Sequence, residues 1–86
     1  MTLEFVDNYI NNKINESKDK NMIVFTFYEL RIKCNLSERE TDNFLGLAKN
    51  KFENMGYLTY FTGAEFTYND VTRIVQDNEL MVTVKK

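Results

Sequence analysis

Apolar residues return along this chain with two different periods, and each change of period marks an element. Leu3, Val6, Ile10 and Ile14 recur at intervals of three and four, with Tyr9 beside them. That is the period of one helix face, so an amphipathic helix is expected over 2–17. Glu4 and Asp7 sit near its start, where the helix dipole favours negative charge. The polar stretch NESKDKN (15–21) ends it. MIVF (22–25) is short, apolar and partly β-branched, the signature of a short buried strand. Thr26 followed by Glu29 matches a capping box, in which the Thr oxygen takes an orphan backbone N–H and the Glu reaches back. The helix it opens is expected to run to about Lys33 or Cys34, with Leu30 and Cys34 inward and Phe27 nearby.

NLS (35–37) is a tight connection, and Ser37 with Glu40 makes a second capping box. The next helix is expected over 38–55. Phe44, Ala48, Phe52 and Met55 form its inward stripe, flanked by Leu45 and Leu47. Gly56 suits the left-handed position that closes a helix. The acids Glu38, Glu40 and Asp42 complement the positive end of this helix. YLTYF (57–61) reads as a strand, Thr62 and Gly63 as a turn, and AEFTY (64–68) as a second strand. Residues 69–78 fit a helical turn or a strand equally. ELMVTV (79–84) is a strand.

Composition narrows the classes. Eighty-six residues with 43% hydrophobic and 14% aromatic side chains make one small globular α+β domain. The net charge of −2 is not that of a domain held to nucleic acid by charge alone. Cys34 is the single cysteine, so no intrachain disulfide forms, and a cytoplasmic setting is expected. There is no histidine, which removes the commonest metal ligand and general base. Cys34 lies on an apolar helix face with no base to activate it, and glycine-rich phosphate loops are absent. An enzyme, a cofactor and a metal are therefore not expected, nor is a membrane span.

The stretch VFTFYELRIKCNLSERETDNFLGLAKNKFENMGYLTYFTG, followed by ELMVTV, resembles a winged helix-turn-helix domain. The likeness lies in element order and caps over residues 22–84. It implies three helices and a small antiparallel wing sheet: an N-terminal helix (1–17), a strand with helix-turn-helix (22–56) and a β-wing region (57–86). It further implies that the helix after NLS enters the major groove of double-stranded DNA, and that a homodimer doubles the contacts, with 2–17 contributing. With Phe44, Ala48 and Phe52 inward, Arg39, Asn43, Gly46 and Asn50 fall on the outward face. Arg39 suits guanine and Asn43 adenine, while Gly46 permits close backbone approach. Arg31, Lys33, Lys49 and Lys51 are the nearest phosphate candidates, with Arg73 on the wing and Lys85 and Lys86 at the end as additions.

The charges temper this reading. Residues 26–56 carry five bases (31, 33, 39, 49, 51) and five acids (29, 38, 40, 42, 53). Lys49 and Glu53 also form an i,i+4 pair. Two functions are therefore expected to compete. One is a sequence-specific DNA binder, a small regulator or a partition or origin protein of a phage or plasmid. The other is a protein-binding inhibitor or adaptor on the same fold, blocking a host or CRISPR component through an aromatic wing at Tyr60 and Phe66.

Overall fold

The computed structural model describes residues 1–86 as an α+β domain with three helical segments and two small antiparallel sheets. Helix α1 spans Leu3–Glu16, opened by Thr2, whose hydroxyl accepts the Phe5 N–H. Strand β1 (Met22–Thr26) leads into a short helical segment, Tyr28–Lys33. Helix α2 (Glu38–Asn54) follows, then β2 (Tyr57–Phe61), β3 (Glu65–Tyr68), β4 (Val71–Ile74) and β5 (Glu79–Lys85).

Both capping boxes form. Glu29 N–H reaches the Thr26 hydroxyl at 3.2 Å, and Thr26 N–H reaches the Glu29 carboxylate at 2.8 Å. Ser37 and Glu40 exchange the equivalent bonds at 3.1 Å each. Gly56 closes α2 with φ 89°, and Asn35 takes φ 54° in the connection between helices. One expectation changes in kind: Tyr28–Lys33 winds as a π-helix, with Cys34 N–H bonded to Glu29 C=O five residues back. Phe27, just before this turn, is 44% exposed, while Leu30 is fully buried.

The chain builds three layers. β5 is the middle strand of a sheet ordered β1-β5-β2, antiparallel on both sides. One face of that sheet receives the helices. Phe25 lies edge-on to Phe44 (5.6 Å) and Phe52 (5.9 Å), and Tyr9 of α1 meets Phe44 at 5.7 Å. Val6, Ile10, Ile23, Leu30, Ala48 and Met81 complete this core. Each of these side chains other than Ala48 contributes roughly 1.5–3 kcal/mol by leaving water. Met55, expected on the inward stripe, instead caps α2 and is exposed. The buried stripe begins at Thr41 in the first turn, which turns its hydroxyl back to Ser37 C=O at 2.8 Å.

The other sheet face is also covered. Residues 71–74 are strand, and β4 pairs with β3 rather than β3 pairing with β2. The β3–β4 hairpin folds back over the sheet and packs Phe66 and Val75 onto Val82 and Val84. The expected aromatic wing surface is thereby corrected. Phe66 is only 4% exposed and stacks on half-buried Tyr60 at 5.3 Å. Burying this apolar face outweighs projecting the hairpin into solvent.

Candidate nucleic-acid interface

Helix α2 places its functional candidates by periodicity alone. Phe44, Ala48 and Phe52 are fully buried, which turns Arg39, Asn43, Gly46 and Asn50 to the opposite side, all exposed. Their spacing of four, three and four aligns them along one stripe. None of the three polar side chains has a hydrogen-bond or ion-pair partner within the chain. A methyl group built on Gly46 would meet nothing within 4 Å, so packing inside the chain gives no reason for a glycine there. Asn43, Gly46 and Leu47 line one wall of a groove of about 450 Å³, and Leu3 of α1 forms part of the other.

Among Arg31, Lys33, Lys49, Lys51 and Arg73, all but Lys33 are engaged elsewhere. Lys49 pairs with Glu53 at 2.6 Å, and Lys51 pairs with Asp7 of α1 at 3.1 Å. Arg31 donates its Nε–H to Leu36 C=O at 3.0 Å and lies over the Phe27 ring, so it braces the turn between helices. Lys33 lines a polar cleft with Asn12, Lys13 and Glu16 of α1. Arg73 makes a two-pronged bond to Glu79 (2.6 and 3.2 Å) while covering Phe66. That bond holds the Glu79 carboxyl below its ordinary range.

Of the expected DNA contacts, α2 therefore assembles four on one free stripe, with Lys49 and Lys51 in exchangeable surface pairs beside it. Arg73 is absorbed into the hairpin. Its partner is six residues away in sequence but on a strand of the other sheet, a placement no local pattern reveals.

Sequence reading also passed over two features. Glu29 is a buried carboxylate that accepts from Tyr9 Oη–H and Lys13 Nζ–H, each at 2.7 Å, besides its cap. Burial, with the neighbouring Glu29 carboxylate, pushes the Tyr9 hydroxyl well above its ordinary pKa. The second feature is an exposed patch on the π-helical segment, Tyr28 at 62% and Ile32 at 58%, adjoining Phe27. Their i,i+4 spacing was the available signal.

No protein-family model, curated protein or solved structure matches the chain. No helix is long and apolar enough to cross a membrane.

Proposed function

We propose that this protein is a sequence-specific DNA-binding protein on a winged-helix scaffold, a small regulator or a partition or origin binder. The observation that carries the reading is the α2 stripe. Two side chains able to bond two base atoms at once, Arg39 and Asn43, stand one helical turn apart with no internal partner, next to a glycine that nothing in the chain requires. The strand order β1-β5-β2 supports the scaffold, since it puts the strand between the first two helices beside the last strand. The hairpin departs from a projecting wing, so α2 carries the recognition. The test is fluorescence anisotropy with DNA flanking the protein's own gene against scrambled DNA. Specific binding tighter by roughly 10³ or more, lost in Arg39→Ala and Asn43→Ala with unchanged circular dichroism, is the expected result. Equal weak binding to both DNAs rejects it.

One observation favours a second reading, a protein-binding inhibitor or adaptor. Phe27, Tyr28 and Ile32 with Arg31 form an exposed apolar patch of the composition found at the centres of protein interfaces. In that case Tyr28→Ala and Ile32→Ala abolish partner capture, whereas Arg39→Ala does not.

A further inference from the structure

β2 reads Tyr-Leu-Thr-Tyr-Phe, with no charge and no proline. It is an edge strand, paired only with β5. Natural edge strands are ordinarily guarded by charge, proline or a bulge, because their unpaired backbone groups template further pairing. The ladder shows which groups those are. Lys86 N–H bonds Gly56 C=O, and Lys85 N–H bonds Asn21 C=O on the other side of β5. With the alternation of an antiparallel ladder, Leu58 and Tyr60 spend their backbone groups on β5, and Tyr57, Thr59 and Phe61 point theirs away from the sheet.

The opposite edge makes the contrast. β1 turns Met22, Val24 and Thr26 outward by the same alternation. Met22 N–H is taken by Asp19 C=O, and Thr26 N–H by Glu29. β1 is thus blunted and β2 is not. At the far end of β2, Ala64 N–H bonds Phe61 C=O and closes that corner. The open stretch is Tyr57 to Thr59, with Leu58 between them 43% exposed and Met55 exposed alongside.

We propose that two copies of the chain pair antiparallel through this edge, on a two-fold axis passing between their Leu58 residues. Tyr57 then exchanges both backbone bonds with the partner's Thr59, and Thr59 does the same with the partner's Tyr57. Leu58 meets the partner's Leu58 across a pair without hydrogen bonds, where Cβ atoms lie closest. A dyad at Thr59 is excluded, because it would need the Phe61 corner already closed by Ala64. A second copy fits because the outward groups of Tyr57 and Thr59 are self-complementary about Leu58, and the uncharged edge adds no like-charge repulsion although the chain is net negative. A dyad of this kind stands perpendicular to the sheet. α2 covers one face of that sheet with its stripe turned away from it, so both stripes face the same direction. The pairing rests on the edge itself, and only its consequence for DNA rests on the function proposed above.

Sedimentation equilibrium on the full chain tests it, with Leu58→Asp as the variant. The wild type is expected to be dimeric at micromolar concentration. Leu58→Asp is expected to weaken association roughly tenfold or more with its circular dichroism unchanged. Leu58→Cys, made with Cys34→Ser, is expected to oxidise to a covalent dimer, since the paired positions fall within disulfide reach. Val71→Cys in the same background, exposed on the hairpin, is the control that forms no covalent dimer. A wild type that sediments as a monomer throughout overturns the proposal. So does a dimer that Leu58→Asp leaves intact and Leu58→Cys does not trap. If Leu58→Asp fails to fold, the trapping result decides alone. A trapped dimer that ignores DNA rejects the DNA reading and keeps the edge, whereas DNA binding by a monomer does the reverse.

Discussion

Gly46 and Glu29 are the two residues whose identity the fold explains least and most. An interior helix glycine is about 1 kcal/mol less favourable than alanine, and the space above Gly46 is open. Gly46→Ala is therefore expected to stabilise the protein by about 1 kcal/mol in urea unfolding. If α2 lies against DNA at close range, the same variant binds specific DNA more weakly, so stability and affinity move in opposite directions. A gain in both would remove close approach as the reason for the glycine. Glu29 is the converse case. Its buried carboxylate serves the Thr26 cap, the Tyr9 hydroxyl and Lys13 at once. Glu29→Ala loses a cap, worth about 1 kcal/mol, and leaves a part-buried hydroxyl unpaired, costing about 1–3 kcal/mol. The expected total, about 2–4 kcal/mol by the same two effects, is measured as a lowered urea midpoint with an unchanged slope.

Among the elements, the hairpin is held by polar contacts as well as apolar ones. Arg73 bridges to Glu79, and Tyr68 donates its hydroxyl to Asp19 in the loop before β1. Both carboxyls are held below their ordinary values, Glu79 first by Arg73 and Asp19 first by Tyr68. Glu40 is held down as well, first by the Ser37 N–H of its capping box. A depressed folded-state pKa gives stability that is present above the unfolded value of about 4 and lost as pH falls through the folded value. Stability is thus expected to decline as pH falls below about 5, and Glu79→Gln is expected to flatten that decline. Urea titrations at successive pH values check this, and an unchanged profile would take Glu79 out of the account.

The same elements show what a sequence reveals. Caps, helix stripes and strand alternation are local, so Ser37, Glu40, Phe44 and Phe52 were legible, and with them the outward stripe at Arg39 and Asn43. Strand partners are not local. AEFTY reads identically whether it pairs with β2 or with β4, and only the buried Phe66 and Val75 decide. The π-helical turn was hidden too, because the caps of an α- and a π-helix look alike from Thr26 and Glu29.

At the scale of the whole molecule, the DNA binding proposed above requires a chain of charge −2 to approach a polyanion. Exposed ion pairs contribute only about 0–1 kcal/mol, so Lys49 and Lys51 exchange Glu53 and Asp7 for phosphates at little cost. Arg73 differs: its bond to Glu79 is two-pronged, part-buried and laid over Phe66, and giving it up loosens the hairpin. Helix α2 of each copy therefore offers three cations, Arg39, Lys49 and Lys51. Counterion release gives a slope of about −0.9 in log K against log salt per neutralised phosphate. One copy should show roughly −3, and a dimer with both stripes on one duplex roughly −5. Arg39→Ala and Lys49→Ala should each make the dimer's slope shallower, by about 2 because both copies change. Arg73→Ala should leave the slope intact while lowering the unfolding midpoint. Anisotropy titrations at several salt concentrations read all of these. A slope that responds to Arg73 but not to Arg39 would place the DNA on the hairpin and not on α2.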